Sequence, residues 1–144
     1  MWYEKSYRRH LLDMHIDDWD PAFLSEFSGE EYVKNLKIAK IQGAMIYLQS
    51  HVGLCNYPTK TGKMHNAFIG REGTFKELIS SCRAEGISVT GYYSLIYNNW
   101  AYDNHPEWRI VKAEDAGKAP EMGAFRSSRY GLVCPNNPDY LKFT

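Results

Sequence analysis

The chain has 144 residues, and its 17 basic side chains balance its 17 acidic ones for a formal net charge of zero at pH 7. That balance removes the electrostatic basis for binding nucleic acid or an anionic membrane surface. Hydrophobic residues make up 44% and charged residues 24%, enough apolar material for a folded core, and 4 Trp, 11 Tyr and 6 Phe bring the aromatic share to 15%. Rings of that kind pack on one side and stack or hydrogen-bond on the other.

The first ten residues lack the apolar core of a secretory signal, and no run approaches the ~20 apolar residues of a membrane span. A cytoplasmic protein is expected, with allowance for an upstream leader. Cys55, Cys82 and Cys134 are an odd set without Cys-x-x-Cys spacing, so they read as free thiols rather than as a disulfide framework or zinc ribbon.

Between Arg9 and Trp19 the apolar Leu12, Met14 and Ile16 alternate with Asp13, His15 and Asp17. A period of two predicts a first strand with three polar side chains in one column. Ser28 and Glu31 form a capping box that opens a helix with Val33, Leu36 and Ala39 on its apolar face. Gly43 is expected to terminate that helix, and residues 44–51 then read as a second strand ending in His51. The grammar repeats with a second capping box at Thr74 and Glu77, an apolar stripe of Phe75, Leu78, Ile79 and Cys82, a terminating Gly86 and a third strand over 87–94. Strands alternating with helices of this length predict βαβ units and a parallel sheet.

The helix-to-strand connections are minimal, whereas those from strand to helix run from His51 to Gly73 and from about Tyr97 to Asn136. Long loops after the C-terminal ends of parallel strands occupy the face where active sites are built. Asn136, Asn137 and Pro138 announce a third helix, Pro at its first position, of which about two turns precede Thr144. A chain cut inside its third unit is the expectation.

Asp13, His15 and Asp17 allow three readings: a polar pocket wall that hydrogen-bonds a hydroxylated ligand, a carboxylate and imidazole set for a divalent cation, or an internal ion-pair network. His51, opening a long loop, is a second ligand-facing candidate. Tyr92 and Tyr93 face opposite sides of the third strand, one of them toward a pocket. Trp100 and Trp108 either stack on a sugar or plug their loop onto the core. Nucleophile elbow, Walker loop and dinucleotide fingerprint are all missing, so no cofactor is expected. Also missing is a pair of carboxylates at the ends of two strands, as glycoside hydrolysis requires.

In order and spacing, five stretches resemble the N-terminal part of glycoside hydrolase-like TIM-barrel proteins, the hypothetical glycosyl hydrolase group related to α-L-fucosidases and often labelled β-galactosidase-like. They are residues 8–15, Gly43-Ala44 with a strand ending in His51-Val-Gly53, Cys82-Arg-Ala-Glu-Gly-Ile87 with Gly91-Tyr-Tyr-Ser94, His105-Pro-Glu-Trp108, and Val133 to Pro138. The resemblance covers about Arg8 to Phe143. It implies the first three units of a (β/α)8 TIM barrel, incomplete within residues 1–144, and hydrolysis of a glycosidic bond in a carbohydrate substrate. His15 and His51 then fall at sugar-binding positions, with Tyr93 and Trp100 in the sugar pocket and Asp13 beside it. Ser50 and Val52 depart from the His-His-Asp pattern of the fucosidases, which bears on fucose specificity. The nucleophile and acid/base residue are expected beyond Thr144. The alternatives are a metal-dependent barrel hydrolase using Asp13, His15 and Asp17, and a non-catalytic carbohydrate-binding module; homo-oligomerisation is left open.

Overall fold

The computed structural model describes residues 2–122 and 125–144. A short helix α1 (Trp2–Lys5) leads into strand β1 (Arg9–Leu11), followed by helix α2 (Gly29–Ile38) and strand β2 (Gly43–Tyr47). Two short strands, β3 (Leu54–Cys55) and β4 (Lys63–Met64), precede helix α3 (Thr74–Ala84) and strand β5 (Ser88–Tyr92). Helix α4 (Asn99–Asn104), the strands β6 (Arg126–Ser127) and β7 (Tyr130–Gly131), and helix α5 (Pro138–Phe143) complete the chain.

β1, β2 and β5 form one parallel sheet in that order, with Arg9 opposite Gly43 and Leu11 opposite Met45 on one side, and Gly43 opposite Ser88 and Tyr47 opposite Tyr92 on the other. The expected parallel order of three strands is therefore present, as a mixed α/β unit. Because side chains alternate along a strand, Ala44, Ile46 and Val89 share one face. There they meet Val33 and Leu36 of α2 and Phe75, Leu78 and Cys82 of α3, all within one buried cluster with Phe68 and Ile87. Each large apolar side chain withdrawn this way contributes roughly 1.5–3 kcal/mol. The opposite face carries Leu11, Met45 and Thr90. It is uncovered among the described residues: Leu11 is 48% exposed, and an open cleft of about 350 Å3 runs over Leu11, Met45 and Thr90. The same face ends, at the C-terminal end of β2 and β5, in Tyr47 and Tyr92.

Local signals are met unevenly. Ser28 Oγ accepts from the Glu31 amide at 3.2 Å, as a cap should, while the Glu31 carboxylate turns to Lys34. The helix does not end on Gly43. Lys40 adopts the left-handed conformation (φ 54°), Ile41 N–H closes on Leu36 O at 2.9 Å, and Gly43 begins β2. Gly86 does terminate α3, at φ 70° with Ile87 N–H on Cys82 O at 2.8 Å. Thr74, however, sits inside α3 and donates its hydroxyl to Arg71 O at 2.8 Å, leaving Gly73 as the N-cap without a side-chain bond. α5 begins as expected, with Pro138 at its start and Asn137 Oδ1 accepting from Asp139 and Tyr140.

Two larger corrections concern the first strand and the loops. β1 stops at Leu11, and residues 12–17 have neither helix nor strand, so the expected column of Asp13, His15 and Asp17 on one strand face does not form. The long strand-to-helix connections are also structured rather than bare loops. The second holds α4, the β6–β7 pair and a separate apolar cluster of Ala101, Tyr102, Trp108, Val133 and Tyr140 with Trp100 and Phe143 packed against it. Among the described residues no helix is long and apolar enough to cross a membrane.

Candidate functional site at the strand ends

The C-terminal ends of β1, β2 and β5 converge on two imidazoles. His15 and His51 stack with centroids 3.8 Å apart and planes 27° from parallel. His51 follows β2 through a tight turn in which Gly53 N–H donates to Ser50 O at 2.9 Å with Gly53 at φ +82°. The loop after β5 closes on this turn, Asn99 N–H donating to His51 O at 3.1 Å. His15 sits on the irregular run after β1 and is held by others: the His51 amide donates to its Nδ1 at 3.2 Å. That bond leaves the neutral ring's proton on Nε2, which points at the Tyr47 hydroxyl 3.4 Å away. His51 Nδ1 lies 2.8 Å from Ser94 Oγ and 3.3 Å from Tyr92 Oη, and Ser94 is itself placed by its amide donating to Gln49 Oε1 at 2.8 Å. Among the described residues His51 Nε2 has no hydrogen-bond partner.

Four tyrosines wall the pair. Tyr47 and Tyr92, opposite each other in the sheet, stack at 4.1 Å. Tyr97 lies 4.6 Å from His51, and Tyr130 meets it edge-on at 5.1 Å and 87°. Burial lowers the pKa of both histidines, reinforced at His51 by His15; the Asp13 carboxylate opposes the shift at both, and the Arg129 cation adds to it at His15. Burial, aided by Asp13 and Tyr92, pushes the Tyr47 hydroxyl up to about 12. At neutral pH the two imidazoles and the Tyr47 phenol are therefore neutral, groups that both donate and accept hydrogen bonds.

The residues singled out in the sequence divide. His15 and His51 come together. Asp13 is beside them, its Oδ1 accepting from the His15 amide at 3.1 Å and lying 3.7 Å from His15 Nε2, but its side chain is 66% exposed. Asp17 turns away to Arg129 at 3.3 Å. The three do not converge, and among the described residues no group of three His, Cys, Asp or Glu could hold a metal ion. Tyr92, rather than Tyr93, faces the histidines; the Tyr93 hydroxyl lies among Tyr140, Cys55 and Tyr57, where burial raises its pKa. The Trp100 ring stacks on Phe143 at 5.6 Å, and only its backbone reaches the site, its amide donating to Val52 O at 3.3 Å. Trp108 is buried under His105, stacked at 3.6 Å. His65 is structural: buried, it binds Asp17 O through Nε2 at 3.0 Å and caps a short turn. Tyr47, Ser94, Tyr97, Arg129 and Tyr130 join the site without having been candidate site residues on the sequence. The strand register could have supplied Tyr47, whereas nothing local marks Arg129 or Tyr130.

A family model described as Hypothetical glycosyl hydrolase 6 matches residues 28–143. The chain belongs to that hypothetical glycosyl hydrolase family. No curated protein matches it. Among solved structures this glycosyl hydrolase family member is similar to the alpha-L-fucosidase isoenzyme 2 from Paenibacillus thiaminolyticus, with a TM-score of 0.71 at 20% identity. The likeness covers 96% of this chain and 20% of that one, so the chain spans about a fifth of the enzyme's length. At that identity the likeness concerns the fold alone.

Proposed function

We propose that residues 1–144 are the opening strand-and-helix units of a (β/α)8 barrel and supply the sugar-binding wall of a glycoside hydrolase. The observation that carries this reading is the stacked His15–His51 pair at the C-terminal ends of three parallel strands, the end of a barrel at which substrates bind. His51 Nε2 and the phenol groups around it offer hydrogen bonds to ring hydroxyls, and the tyrosine faces offer apolar stacking surface. The uncovered sheet face that ends in Tyr47 and Tyr92 is the face a closed barrel would turn inward.

Hydrolysis through an oxocarbenium-like transition state needs two carboxyl groups flanking the glycosidic oxygen. Of the carboxylates beside the pair, Asp13 points largely to solvent and Asp17 is committed to Arg129. The catalytic pair is therefore assigned to strands outside these residues. An α-L-fucoside is the first substrate to try, given the activity named for the structural relative, and a β-galactoside the second.

The test is isothermal titration of the full chain with methyl α-L-fucopyranoside and methyl β-D-galactopyranoside, alongside hydrolysis of the corresponding 4-nitrophenyl glycosides. Binding of one glycoside, weakened at least about tenfold by His51→Ala, is the expected result. Absence of binding, or binding by His15→Ala and His51→Ala equal to that of the wild type, sinks the reading. The lack of a flanking carboxylate pair among the described residues favours one second reading, a non-catalytic carbohydrate-binding protein. Binding without hydrolysis by a longer polypeptide that carries the further strands would select it.

A further inference from the structure

His15 lies on a run with no secondary structure of its own, and its placement depends on a residue more than one hundred positions away. Arg129 Nη2 donates to His15 O at 2.7 Å and to Tyr130 Oη at 2.9 Å, while Nη1 reaches Asp17 Oδ2 at 3.3 Å. The guanidinium lies 5.0 Å from the Tyr130 ring centroid, and the Tyr130 edge meets both His51 and His15, at 5.1 and 5.9 Å. One planar group thus joins the main chain of residue 15, the side chain of residue 17 and an aromatic wall of the site. Its own base is firm. The turn between β6 and β7, with Ser128 at φ 58°, is tied to the strand-end loops by Gly131 N–H on Asn99 Oδ1 at 2.7 Å, by Asn98 N–H on Gly131 O at 3.1 Å and by the Arg126–Asp103 ion pair.

We propose that Arg129 is a positioning residue: it holds His15 in register with His51 and makes the β6–β7 turn a wall of the sugar site. The guanidinium spreads these contacts over two nitrogens of one rigid plane, a spacing that the single ammonium nitrogen of lysine does not reproduce, so lysine is not an equivalent. The inference relies on the sugar-binding reading for what the pair recognises, and on geometry alone for how the pair is held.

The direct reporter is the His51 amide, which is protected from exchange only while His15 Nδ1 accepts from it. In the full chain, Arg129→Met and Arg129→Lys are expected to raise its hydrogen-exchange rate about tenfold. The two variants separate charge from geometry. The groups facing His15 are the stacked His51 imidazole, the Asp13 carboxylate, the Arg129 cation and the Tyr47, Tyr92 and Tyr130 rings, with Asp17 behind Arg129. Removing the cation in Arg129→Met should raise the His15 titration midpoint followed by ring NMR, whereas Arg129→Lys should keep it low. Both should weaken whichever methyl glycoside the wild type binds, fucopyranoside or galactopyranoside. An unchanged His51 exchange rate in Arg129→Met overturns the proposal. Should that variant fold poorly, Asp17→Asn removes one anchor of the fork, and a faster His51 exchange is again required. A wild type that binds neither glycoside, with His51 exchange still accelerated in the variants, would remove the sugar reading and leave the positioning role standing.

Discussion

The main-chain amide of His51 donates to the Nδ1 of His15 at 3.2 Å while their rings stack at 3.8 Å, so the turn after one strand fixes the tautomer of a side chain that follows another. Ring orientation and proton position are set by the same contact.

Acid should destabilise the fold in a defined window. His15, His51 and His65 all have pKa values held below the ordinary 6.5, with burial as the leading cause. Between about 6.5 and those depressed values the unfolded chain binds more protons than the folded one. Their stabilising contribution is thus complete above pH ~6.5 and is lost as pH falls through the folded pKa values. The Tm should drop from about pH 7 to about pH 5, and His65→Asn should flatten the drop while lowering the starting Tm. A Tm indifferent to pH over that range would contradict the assignment.

Tyr92 and Tyr93 should part company. Tyr92→Phe removes the hydroxyl 3.3 Å from His51 Nδ1, whereas Tyr93→Phe alters a group among Tyr140, Cys55 and Tyr57. A loss of about 0.5–1.5 kcal/mol in glycoside affinity is expected for the first and none for the second. Calorimetric titration of both variants decides it.

Gly53 should tolerate no side chain. Its φ of +82° is a left-handed value, and a methyl group there would sit 2.6 Å from the Trp100 amide nitrogen. Gly53→Ala should cost at least about 2 kcal/mol and release the His51 turn from the loop after β5. Denaturant titration gives the cost, and the Asn99 amide, now bonded to His51 O, should exchange faster.

The open sheet face distinguishes residues 1–144 alone from a completed barrel. Leu11 is 48% exposed here, so Leu11→Ser should change the stability of the isolated segment by no more than about 0.5 kcal/mol. In a longer protein whose further strands cover that face, the same change should cost about 2 kcal/mol or more. The isolated segment, with an uncovered apolar face and unpaired strand edges, should also melt broadly. A sharp cooperative melt of a monomer would argue for a self-contained α/β domain instead.

Chain-local grammar carried a large part of the architecture. Apolar periodicity located α2, α3 and the parallel strands, and Ser28, Gly86 and Pro138 marked the helix ends at which they act, because caps and left-handed terminators depend on a few adjacent residues. It went astray where two local solutions compete. Lys40 closes α2 in place of Gly43, since the hydrogen bond to Leu36 O outweighs the modest cost of a left-handed lysine. Alternation of Leu12, Met14 and Ile16 suggested a longer β1, yet a strand lasts only as long as it has a neighbour to pair with, and β2 pairs no further than Leu11.

For the candidate site, the sequence by itself determined the end of the sheet at which His15 and His51 lie, because both follow strands whose direction the βαβ pattern dictates. Only the tertiary structure decided that their rings stack, that Tyr92 rather than Tyr93 serves His51, that Trp100 and Trp108 turn into a separate core, and that Arg129 closes the arrangement. Those outcomes rest on contacts between residues far apart along the chain, where neither periodicity nor spacing carries information about which groups meet.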